Sequence, residues 1–180
     1  MAKREISWSD YTDLLREALD GDGAFLVVLD PNGRPNPMTI GWGEVGIVWS
    51  RPAFTVLVRP SRYTHACILA ADSFTVSVPR PGNLTEALLL CGTKSGRDVD
   101  KVKTSRLCLA TGTKVRTPVV EGCALQYECR ILARAVLTRQ SFASPDVLSD
   151  FYPTSEDYHL IVVGEILAAY AESDLVSGRS

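Results

Sequence analysis

Six β-rich runs, set apart by turns and by short helical stretches, constrain this chain more than any other feature. They are Ala24–Leu29, Thr39–Trp49, Ala53–Val58, Phe74–Val78, Ala124–Thr138 and His159–Tyr170. Asp30-Pro31-Asn32-Gly33 closes the first as a turn, and Pro79 with Pro81 stops the fourth. Gly41, Gly43 and Gly46 inside the second run mark a bulge or a close approach to the backbone. Tyr11, Leu14, Leu15, Ala18 and Leu19 recur at helical spacing and predict a helix over about 9–20. Ser7 with Asp10 has the form of a capping box before it, and Gly21 and Gly23 end it. Shorter helices are predicted at Arg62–Ala71, Leu84–Leu90, Asp98–Leu109 and Pro145–Phe151, with a polar loop over Gly92–Asp98. Strands joined by hairpins, loops and short helices argue against a parallel βαβ sheet. The expected fold is mainly β: an antiparallel barrel or sandwich with peripheral helices, whose rims offer ligand sites.

At 180 residues the chain is expected to form one domain over 1–180, with the barrel at about 24–170. Its 19 Lys+Arg against 21 Asp+Glu leave a formal net charge of −2, which gives no bulk attraction to nucleic acid or anionic lipid. The charged start Met1–Glu5 is not of signal-peptide type. The purest apolar runs, Ala24–Leu29 and Ala66–Ala71, are six residues each, far short of a membrane span. Cys67, Cys91, Cys108, Cys123 and Cys129 are odd in number and never spaced as CxxC, and with two histidines in the chain no zinc site is expected. Unpaired thiols predict a reducing cytoplasm and mostly buried, apolar cysteines.

Four segments carry residues able to do chemistry. In Asn36-Pro37-Met38-Thr39-Ile40-Gly41-Trp42-Gly43 an amide and a hydroxyl sit beside glycines and a tryptophan, which suits a planar heteroaromatic ligand, although residue types alone favour a bulged strand with a core Trp. Arg59-Pro60-Ser61-Arg62-Tyr63-Thr64 precedes a predicted helix. Its guanidinium, hydroxyls and free N–H groups suit an anion, with a plain helix cap as the alternative. Cys91–Lys101 is a donor-rich loop without Walker spacing, and Lys101 on the following helix supplies a positive charge. His159 follows Asp157, whose carboxylate is expected to orient the ring and raise its pKa. Neither G-x-S-x-G nor H-E-x-x-H is present.

Taken together and in order, these segments resemble the flavin reductase-like family with the FMN-binding split-barrel fold. The marks are Asn36–Trp42, Arg59–Thr64, Phe74–Pro79, Cys91–Lys101, and His159 with Val163-Gly164-Glu165-Ile166. The resemblance runs from about Ala24 to Ala169 and implies a six-stranded antiparallel split β-barrel of Greek-key type, dimeric, with FMN near the subunit interface. It implies that Asn36 and the backbone of Met38, Thr39, Ile40, Gly41 and Trp42 line the flavin, and that Ser61, Arg62 and Thr64 hold its phosphate. Cys91, Gly92, Ser95 and Gly96 would approach the ring edge, and Lys101 would favour the anionic reduced form. His159 would stand at the open face as the catalytic candidate, orienting a nicotinamide or assisting proton transfer. The implied activity is hydride transfer from NAD(P)H to flavin N5 and on to free flavin or another acceptor. The alternatives are a flavoredoxin-like electron carrier with a redox protein partner, and a flavin-free binding module. Similar proteins carry a longer tail beyond the last strand, so the short stretch after Ala171 bears on how the flavin face is covered and on whether a nicotinamide site is complete.

Overall fold

The run Ala24-Phe25-Leu26-Val27-Val28-Leu29 is so uniformly apolar because both of its faces are covered. It forms strand β2 (Ala24–Leu29), whose Leu26 and Val28 enter the main core while Phe25 and Val27 meet a second cluster with Ala87, Leu88 and Val120. The computed structural model describes residues 2–154 and 156–177. In it β2 pairs with β3 (Pro35–Ile40) on one side and β6 (Ser73–Val78) on the other. The sheet continues through β9 (Leu125–Val136), β10 (Leu160–Glu172), β5 (Arg51–Val58) and β4 (Gly43–Val48), all antiparallel. β1 (Lys3–Ile6) pairs with the far end of β10, which brings the sheet to eight strands.

The two ends of this path, β3 and β4, are consecutive in the chain and linked by Gly41 and Trp42 alone. So short a link spans about 10 Å at most. The ends of the sheet must therefore meet, and the sheet must roll up. Among the described residues no ladder joins β3 to β4. The product is a split barrel, mainly β with peripheral helices, as expected.

Six expected strands become eight for two local reasons. The run expected over Thr39–Trp49 breaks at Gly41–Trp42, and its first half reaches back to Pro35. Pro35 and Pro37 fit there because β3 is an edge, where a missing N–H breaks no ladder on the open side. The charged segment of β1 carries no strong strand signal and is recruited by the tail of β10.

The helices are α1 (Thr12–Asp20), α2 (Tyr63–Ala70), α3 (Thr85–Thr93), α4 (Lys101–Thr104), α5 (Pro145–Phe151) and α6 (Ser173–Ser177). Ser7 and Asp10 form a turn ahead of α1 rather than its cap, with the Ser7 N–H donating to Asp10 Oδ2 at 3.1 Å. Cys91 and Gly92, expected at the edge of a polar loop, complete the last turn of α3. The helix expected over Asp98–Leu109 is only one turn long. Asp100 caps its start, Arg106 turns left-handed at φ 53° after it, and Leu109–Ala110 becomes strand β7 against β8 (Val119–Val120). All five cysteines are free, and all but Cys108 are buried, as expected. Among the described residues no helix is long and apolar enough to cross a membrane, and no cluster of His, Cys, Asp and Glu could hold a metal.

Candidate functional site

The Gly41–Trp42 link opens onto a cleft of about 180 Å³ lined by Met38–Trp42, Leu57, Arg59, Arg62 and His159. These residues come from three sequence segments because β5 pairs with β10, which sets the loop after Val58 beside the start of β10. Trp42 is 42% exposed, so it is a wall of the cleft and not a core residue. Its ring meets Phe151 edge-on at 5.1 Å and His159 at 5.1 Å.

His159 itself is buried, and its ring orientation is set by Tyr152. The Tyr152 hydroxyl and Nδ1 share a hydrogen bond at 2.5 Å, in which the tautomer of the ring decides which of the two donates. Burial first, and then the positive charge of Arg59, push the imidazole down to about 4. This reverses the expected upward shift. The Asp157 carboxylate, read from sequence as the partner of His159, accepts instead from Ser61, by its N–H at 2.8 Å and its hydroxyl at 2.5 Å.

Arg59 fastens the segment that carries these groups. It donates to the carbonyls of Phe151 (2.9 Å) and Asp157 (3.3 Å), and its guanidinium lies over the Tyr152 ring at 4.9 Å. Arg62 is exposed and donates to the Gly92 carbonyl at 3.0 Å. Sequence reasoning leaves Arg59 out of the binding set although it opens the Arg59–Thr64 motif. It misses Tyr152 altogether, whose only signal is the density of rings at Phe142, Phe151, Tyr152 and Tyr158.

The other candidate residues build the wall behind β3. Asn36 is buried and donates from Nδ2 to Thr64 Oγ1 at 2.8 Å, which holds Thr64 beneath the surface and away from the cleft. A Cβ on Gly96 would collide with Asn36 Oδ1, so the loop after α3 crosses this amide only as glycine. Gly92 packs over Thr39 with more room, since a Cβ there would come to 3.4 Å from the Thr39 side chain. Thr39 Oγ1 donates to the Leu88 carbonyl at 2.6 Å, and Ser95 Oγ accepts from the Arg97 N–H at 3.1 Å. Lys101 is buried and donates to the carbonyls of Pro37 (2.8 Å) and Cys91 (3.1 Å), tying α3 and α4 to β3. Burial lowers its pKa. Asn36, Gly96 and Lys101 line a separate cavity of about 410 Å³ on this side.

Residues 21–178 match the flavin reductase like domain. The crystal structure of flavoredoxin from Methanosarcina acetivorans aligns with 84% of this chain and 69% of its own, at 27% identity and a TM-score of 0.64. An FMN-binding protein from Thermus thermophilus, solved with bound p-hydroxybenzaldehyde, aligns with 87% of this chain and 74% of its own, at 27% identity and a TM-score of 0.64. An uncharacterized protein of Archaeoglobus fulgidus is 33% identical over 99 residues, which is 55% of this chain and 55% of that relative. The matched span contains the whole rolled path from β2 to β10 and every residue of the cleft, and the chain belongs to the flavin reductase-like family.

Proposed function

We propose that this chain binds FMN along the Met38–Trp42 edge and acts as an NAD(P)H:flavin oxidoreductase, assembled as a homodimer. The observation that carries this reading is the chemistry of the cleft, where two guanidiniums share one wall with open strand backbone, Trp42 and a neutral imidazole. Guanidiniums suit a phosphate, while aromatic and backbone groups suit the face and polar edge of a flavin. The cleft of about 180 Å³ takes one part of such a ligand, and a groove of about 680 Å³ against α1 adjoins it at Gly41 and Trp42. The residues present therefore fit the group.

Bound FMN would supply a hydride acceptor at N5 for a nicotinamide C4. This chain's residues would do the rest. Arg59 and Arg62 would hold the anionic end. Trp42 and Phe151 would give a planar reductant a surface to lie against. His159, neutral near pH 7, would in the tautomer that accepts from Tyr152 hold an Nε2 proton toward a ligand carbonyl as a hydrogen-bond donor. Lys101, Asn36, Thr64, Gly92 and Gly96 would keep β3 and its loop in place.

The flavoredoxin likeness favours one second reading, an FMN electron carrier serving a redox protein, which would dock on the exposed rings of Trp42 and Phe151. The two are separated by the visible spectrum of the purified protein together with oxygen-free NADH and NADPH oxidation, using FMN as acceptor. A yellow protein that oxidises either nucleotide is expected. Bound flavin without hydride transfer would replace the reductase with the carrier. A colourless protein that takes up no FMN would overturn both in favour of a flavin-free binding module.

A further inference from the structure

The Arg59–Arg62 loop already holds an anion that belongs to the chain. Both donors of Ser61 converge on Asp157, the N–H on Oδ1 and the hydroxyl on Oδ2. Arg59 adds its Nη1 to the Asp157 carbonyl and sits 3.9 Å from Oδ2. A carboxylate held by two converging donors beside a guanidinium has the geometry of a bound oxyanion. Ser61 lies between the cleft's two arginines in sequence, on the loop where an incoming phosphate would be received. A phosphate monoester carries about −1.5 to −2 charges at neutral pH and seeks the same kind of donors. It would meet Asp157 twice, as the occupant of the Ser61 donors and as a like charge at Arg59.

We propose that Asp157 is a specificity-determining residue of this site, a built-in competitor that sets against the phosphate of FMN the attraction Arg59 and Arg62 provide. Its consequence is a binding site that discriminates weakly between FMN and the uncharged riboflavin, although two arginines line it. The inference rests on the flavin reading above. It makes Asp157 the group that decides which flavin the cleft retains, and it leaves the ring-binding edge at Met38–Trp42 out of that decision.

The test measures dissociation constants for FMN and riboflavin, by quenching of flavin fluorescence, in the wild-type chain and in Asp157→Asn. Asparagine keeps the size of the side chain and an oxygen for the Ser61 N–H, and removes the charge. FMN is expected to bind the variant about tenfold more tightly, with riboflavin changed less than twofold. Inorganic phosphate should displace FMN from the variant at lower concentration than from the wild type. Asp157→Ser, with the same expectation, takes its place where the asparagine variant does not fold. Both flavins bound with an unchanged ratio, or FMN weakened relative to riboflavin, would overturn the inference alone, because Asp157 would then only hold the loop in shape. Neither flavin bound by any of the proteins would overturn the flavin reading and this inference with it.

Discussion

At His159 three effects oppose the protonated ring, burial first, then the charge of Arg59 and last that of Arg62, while Asp157 pulls the other way from its place against Ser61. The folded pKa of about 4 lies below the reference of 6.5, so the unfolded chain takes up the proton first as pH falls. The stability that a neutral ring contributes is fully present above pH 6.5 and is lost as pH falls from 6.5 toward 4, by about 3 kcal/mol at the full shift. Urea unfolding of the wild type and His159→Gln across that window measures it. The stability difference between the two should narrow steadily on acidification, and a constant difference would show that the ring titrates normally. Proximity in sequence misleads here for a physical reason. Asp157 precedes His159 by two positions yet binds Ser61, 96 residues away, and the true ring partner is Tyr152, seven residues back. Residue types announce which groups could ionise, but the irregular segment before β10 decides which of them meet.

At the scale of elements, Gly164 in β10 shows why a strand can require a residue that weakens strands. An added Cβ would lie 2.5 and 2.7 Å from the Phe74 ring and 3.0 Å from Cys129 Cβ, all inside the closed core. The ring of β6 reaches across β9 and rests on the bare backbone, next to the register shift between Val163 and Gly164. Gly164→Ala should destabilise the protein by about 2–3 kcal/mol through overpacking, seen as a lower urea midpoint at unchanged slope. Phe74→Leu in the same chain should recover part of the loss. An unaltered midpoint would mean that the ring shifts freely. The strands lining the barrel are legible because they are apolar runs between turn residues, and they send Phe54, Val56, Phe74, Val76, Leu125 and Tyr127 into the core. β3 is not, since Pro35 and Pro37 speak against a strand unless its edge position is already known. α4 is cut short by the backbone at Arg106, where a left-handed residue other than glycine leaves no mark in the sequence.

On the scale of the whole molecule, the rolled sheet leaves the β4–β5 hairpin standing out with an unusual tip. Trp49 and Ser50 both take positive φ, 51° and 58°, in a two-residue turn that ordinarily calls for Asn and Gly. That conformation costs about 1 kcal/mol for each such residue, and the tip also leaves Trp49 64% and Ile47 60% exposed on an edge strand. An exposed tryptophan held in an unfavourable backbone is explained if a second copy covers it, which is where the proposed homodimer would gain its apolar contact. Trp49→Asn separates the two contributions. Asparagine suits the turn, so the isolated chain should be at least as stable, while the dimer loses one buried ring from each copy. At roughly 1.5–3 kcal/mol for a buried large side chain, the dimer dissociation constant should rise about a hundredfold or more. Sedimentation equilibrium of both proteins reads this directly. A monomeric wild type, or a dimer that ignores the substitution, would assign the hairpin no part in assembly.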